Sequence, residues 1–174
     1  MSSRAPIGLC LGLLGTCAIA QNDALSICAA VGLTIEGATP GTLFGTTCGY
    51  AACSPVPAGN IAPGSTRTVT IHGAPFQAYT LAISTPPTIC LGLPWLYHGL
   101  WTANMLTLRQ PYVIAFGVLG PLTPGSLCGT GLATYSLAVP AQLPPGLQFV
   151  MQGFTTCALY PMLTFTPTIQ ATIQ

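Results

Sequence analysis

Charge is what this sequence lacks most. Only 3% of its 174 residues are charged, where an ordinary soluble domain has about 25%. Lysine is absent, and the charged set is Arg4, Asp23, Glu36, Arg67 and Arg109. Affinity for nucleic acid is built from a Lys/Arg patch against phosphates, so that partner class is excluded. The two carboxylates both sit in the weakly patterned N-terminal part, which leaves no acidic pair to flank a glycosidic bond. A G-x-S-x-G elbow, a phosphate loop and zinc-ligand spacing are missing as well. His72 and His98 are isolated, and the closely spaced Cys, His and Met of a copper loop are absent. The sequence therefore predicts no catalytic residues, no metal and no cofactor. Heptads, amphipathic helices and internal repeats are missing too. Disorder does not fit, because 51% of the residues are apolar. Solubility must come from Thr, Ser, Gln and Asn, and a nearly neutral surface opposes self-association only weakly.

What is present begins with an export signal. Met1 to Arg4 forms a short basic segment, and Ala5 to Ala20 is apolar and rich in Leu and Gly. Ala18-Ile19-Ala20 is an A-x-A cleavage site, so residues 1–20 are predicted to be a signal peptide and Gln21 the mature N-terminus. A membrane anchor is the competing reading, but the apolar run falls short of the ~20 residues a span needs. A lipoprotein box at Leu14-Gly15-Thr16-Cys17 fits poorly because Thr16 precedes the cysteine. In the mature chain Arg67 and Arg109 balance Asp23 and Glu36, with no transmembrane span.

Cys10 and Cys17 fall inside the leader, leaving Cys28, Cys48, Cys53, Cys90, Cys128 and Cys157. An even number in an exported chain reads as disulfides, with fifteen pairings that spacing does not resolve. A free catalytic thiolate is not expected in that compartment.

The mature region reads as strands. Side chains alternate faces along a strand, so a period of two marks a half-buried strand. Arg67, Val69 and Ile71 alternate with Thr66, Thr68, Thr70 and His72. After Gly73-Ala74-Pro75, Gln77 to Ser84 follows as the expected hairpin partner, with Tyr79, Leu81 and Ile83 inward. Met105 to Leu108 and Tyr112 to Leu119 are further strands. The latter is apolar on both faces and so is expected to be central, although Pro111 keeps its first end near an edge. Tyr135, Leu137 and Val139 share one face, and Leu147, Phe149 and Met151 alternate with Gln148, Val150 and Gln152. Leu163, Phe165, Ile169, Ala171 and Ile173 alternate with Thr164, Thr166, Thr168, Gln170 and Thr172. Residues 21–60 are less regular, and the three prolines between Cys53 and Ser65 read as a loop. The expected fold is a single all-β domain over 21–174, an antiparallel β-sandwich of about eight strands, disulfide-stabilised.

Several short segments carry a resemblance. They are Pro63-Gly64-Ser65 leading into Thr68 to Pro75, Ser136 to Pro140 followed by Gly146 to Gly153, and Thr166 to Ile173. Tyr50 to Cys53 is a partial echo of a fourth, with Ala51 and Ala52 in place of two glycines. Together these resemble secreted domains of planctomycete-like bacterial surface proteins. The resemblance implies a secreted or surface β-sandwich and brings no catalytic or ligand residues with it.

Pro94 to Trp101 is the one stretch with an evident binding chemistry. Trp95, Tyr97 and Trp101 lie close together there, and aromatic faces with few charges stack on sugars or anchor interfaces. The competing reading is that they cap one end of the sandwich and are buried. The expected function is therefore a non-enzymatic, secreted or cell-surface structural and adhesive module. The alternative is a small carbohydrate-binding module using that aromatic loop. Expected partners are surface polysaccharide, other surface proteins or further copies of itself.

Overall fold

The computed structural model describes residues 31–49, 54–86, 89–93, 103–107, 110–122, 131–157 and 162–174. Among them there is no helix. The described residues form twelve strands rather than about eight. They are β1 (Val31–Glu36), β2 (Leu43–Gly49), β3 (Val56–Ile61), β4 (Thr66–Gly73), β5 (Ala78–Ser84) and β6 (Ile89–Leu93), then β7 (Ala103–Thr107), β8 (Tyr112–Val118), β9 (Gly131–Ala138), β10 (Gln148–Cys157), β11 (Met162–Phe165) and β12 (Ile169–Ile173).

One sheet is ordered β2-β1-β4-β9 and is antiparallel throughout. The other is ordered β3-β12-β10-β5-β8, with β11 also paired to β10. β6 and β7 form a separate antiparallel pair. The alternation seen in the sequence explains why the two large sheets meet. Leu33, Ile35, Val69, Ile71 and Leu137 from the first share one core with Leu81, Met151, Ile169 and Ile173 from the second. Each sheet has an apolar face, and burying both against each other satisfies both at once.

The expected hairpin between β4 and β5 does not form. β4 pairs with β1 and β9, and β5 with β10 and β8, so the chain crosses from one sheet to the other between them. The apolar faces of the two strands therefore oppose each other across the core instead of lying side by side. The crossing uses a left-handed residue, Phe76, with φ of 61°. Its N–H donates to the Leu119 carbonyl, while the Gln77 N–H donates to that of Ala74.

The antiparallel expectation is corrected at β3, which runs parallel to β12. The segment read as a loop supplies this strand. Pro57 is tolerated because β3 is an edge, where a missing N–H costs no ladder bond. The register slips between Gln170 and Thr172, and Gly59 takes φ of 70° at that bulge.

Two further expectations change. The C-terminal alternation is split, since 166–168 is not strand. Thr164, Thr166 and Thr168 are buried rather than solvated. The Thr166 hydroxyl accepts from the Gly153 N–H and donates to the Pro167 carbonyl, and the Gln152 side-chain amide donates to the Thr166 carbonyl. β8, expected at the centre of its sheet, lies at an edge.

Candidate functional site

The two edge strands β8 and β9 belong to different sheets, and the seam between them is a wedge. At one end it is shut. The Gly120 N–H, just beyond β8, donates to the Leu132 carbonyl of β9 at 2.9 Å, and the Leu119 N–H donates to the Gln77 carbonyl at 2.8 Å. A Cβ on Gly131 would collide with the Gly120 carbonyl oxygen, so the close approach there requires glycine. At the other end, beside Tyr112 and Leu137, lies an open-mouthed pocket of about 440 Å³. Leu137 and Val139 wall it from the β9 side, Ile83 from β5 and Phe149 from β10, with Leu143 and Leu147 supplied by the connection between β9 and β10. Ser84, Thr85, Gln110 and Tyr112 are its polar lining. None of the lining residues is charged. Gln110 has φ of 55°, a left-handed conformation that costs a non-glycine residue about 1–2 kcal/mol.

The register of β8 against β5 assigns its faces. Tyr112, Ala115 and Gly117 pair with Ile83, Leu81 and Tyr79, on the core side. Val113, Phe116 and Val118 pair with Ala82, Thr80 and Ala78, on the outer side. Tyr112 is nonetheless 72% exposed, as expected where the seam is open, and on the outer side Phe116 is 80% and Val118 63% exposed. Exposed Phe76 and Leu122 lie in the segments flanking the shut end. No residue of β8 is charged. The sequence signal for this surface is a run apolar on both faces with Pro111 at its head, a pattern shared by a central strand and an uncovered edge.

Charged and titratable side chains are few. Arg67 points to the core side of β4, and its Nη1 donates to the Gly37 carbonyl at 2.8 Å, while its Nε is buried without a partner. His72 is on the opposite face of β4, between Gly32 and Leu132. Its Nε2 is buried without a partner, and burial lowers its pKa. The Thr46 and Thr168 hydroxyl oxygens are also buried and unpaired. Among the described residues no three His, Cys, Asp or Glu side chains gather as metal ligands, and no helix is long and apolar enough to cross a membrane.

Trp95, Tyr97 and Trp101 lie outside the described residues, as do Cys28, Cys53, Cys128 and the leader. Cys48, Cys90 and Cys157 fall in β2, β6 and β10.

These residues define an all-β protein with two principal sheets around one core. No protein-family model matches the chain, and no curated protein does. Among solved structures it is similar to Spo0M, a sporulation control protein from Bacillus subtilis, with 8% identity and a TM-score of 0.36. The likeness covers 83% of this chain and 49% of that one, so this chain spans about half the length of Spo0M. A likeness at that score carries no functional argument.

Proposed function

We propose that the chain is a non-enzymatic, secreted or cell-surface β-sandwich module, disulfide-stabilised, that works by adhesion and self-association through the outer side of β8. One observation carries this reading: an edge strand without charge that holds Val113, Phe116 and Val118 out to solvent. Edge strands offer unpaired N–H and C=O groups to a further strand, and proteins that avoid such pairing place charges or short strands there. β8 has neither defence, being seven residues long. Apolar side chains clustered on a surface are typical of interaction sites. The near-neutral composition adds little repulsion between copies.

Sedimentation velocity over a range of concentrations tests the reading. The wild-type chain is expected to assemble as concentration rises. A Val113→Ser, Phe116→Ser, Val118→Ser variant is expected to stay monomeric with its melting temperature nearly unchanged, since exposed positions contribute little to stability. The same variant should lose retention on an uncharged apolar surface. A wild-type chain that remains monomeric and is not retained would refute the proposal. Thiol titration of the folded, unreduced protein should find no reactive cysteine among Cys28, Cys48, Cys53, Cys90, Cys128 and Cys157.

A further inference from the structure

We infer that the wedge cavity between β8 and β9 is a binding site for a small uncharged amphiphile, one aliphatic chain ending in a hydroxyl or amide. This site is separate from the outer side of β8. Its volume of about 440 Å³ lies within the range of about 300–1,000 Å³ in which ligand pockets fall. The wall is Leu, Ile, Val and Phe from both sheets, as an alkyl chain requires. Thr85, Gln110 and Tyr112 give the lining the few polar side chains that can hydrogen-bond an alcohol or amide head, while the Ser84 hydroxyl donates to the Thr85 carbonyl.

The chemistry of the head follows from what the lining omits. No lining residue can balance a carboxylate or an ammonium. An unpaired charge entering an apolar site loses hydration without compensation, so an ionised head is rejected. A polyol does not match either, because its many hydroxyls outnumber the polar groups available.

The cavity is also maintained by the fold. The hydrogen bond from Gly120 to Leu132 pins one end of the seam, and the cavity lies at the other, beside Tyr112 and Leu137. Gln110 is held in a left-handed conformation beside the opening. Backbone strain of this kind gathers at ligand clamps, where the surrounding structure sustains it.

The test uses the full chain and N-phenyl-1-naphthylamine, an uncharged probe whose fluorescence rises in apolar surroundings. Saturable binding of one probe per chain is expected. In competition, 1-decanol should displace the probe at a concentration at least about tenfold below that needed by decanoate or decylammonium. Leu143→Trp and Ile83→Phe fill the cavity from opposite sides, and each should weaken probe binding at least about tenfold. The triple serine variant of β8 should bind as wild type, which separates this site from the adhesive surface. Absence of saturable binding overturns the proposal, as does equal displacement by all three competitors. Loss of binding in the β8 variant, or wild-type binding by both filled variants with native circular dichroism, also overturns it. If neither filled variant folds, the competition series decides.

Discussion

Gly45 offers a direct test of how the two sheets approach each other. It faces Thr34 across the β1–β2 ladder and has φ of 102°. A Cβ there would collide with the Leu33 carbonyl oxygen and come within 2.9 Å of Ile169 Cδ1, which belongs to the opposite sheet. Gly41, in the turn before β2, supplies the control. Its φ is 81°, but a Cβ would meet nothing within 4 Å. Both substitutions place alanine in a left-handed region, at about 1–2 kcal/mol, partly offset by lower entropy of the unfolded chain, about 0.4–1 kcal/mol. Gly41→Ala is therefore expected to destabilise by about 0–1.6 kcal/mol. Gly45→Ala adds overpacking, which costs typically ~1–3 kcal/mol, and here the obstacle is backbone that yields poorly. A total of about 2–4 kcal/mol should lower the melting temperature by about 5–15 °C for a chain of this size. Thermal unfolding followed by circular dichroism gives both values under one condition. Equal shifts for the two variants would refute the close approach of β2, Leu33 and Ile169.

Two further outcomes follow from buried polar atoms. His72 has its pKa pushed below the ordinary 6.5 by burial, so the unfolded chain binds the proton first as pH falls. Stability should therefore be whole above about pH 6.5 and decline below it. Melting temperatures recorded from neutral to mildly acidic pH should show this slope in wild type and lose it in His72→Leu. An unchanged slope in the variant would assign the effect elsewhere. Thr168→Val replaces an unpaired, fully buried hydroxyl with a methyl group. Urea unfolding should find it neutral or up to ~1 kcal/mol more stable, and a loss above that size would mean the hydroxyl has a partner.

The sequence was most informative where one face of a strand is buried and the other is not. Val69 and Ile71 in β4, Leu81 in β5, Leu137 in β9 and Ile169, Ala171 and Ile173 in β12 all face the core as their period of two predicted. Pattern failed where both faces are covered. Thr164, Thr166 and Thr168 look solvated because they are polar, yet their burial depends on packing that local composition does not encode. It failed in the opposite sense at β8, where an apolar residue pair such as Val113 and Phe116 was equated with an interior position. Exposure of apolar residues is a property of the surface the fold leaves uncovered, and period alone is blind to it. β3 was hidden by Pro57 and Gly59, both of which an edge strand with a bulge accepts. The wedge cavity was illegible for a deeper reason. It is lined by Ile83, Leu137, Leu143 and Phe149, which come from separate stretches of the chain that only the fold brings together.

The parallel pairing of β3 with β12 sets an order on folding. Among the described strands β3 pairs in its sheet with β12 alone, and the two are more than a hundred residues apart along the chain. Closing so long a loop costs entropy before any ladder bond repays it. The same β12 also pairs with β10, so two strands wait for residues 169–173. A chain truncated before Ile169 would hold β3 and one side of β10 as open edges, and such non-local pairings slow folding. A protein with few charges to keep chains apart is thus most adhesive before its last strand is in place.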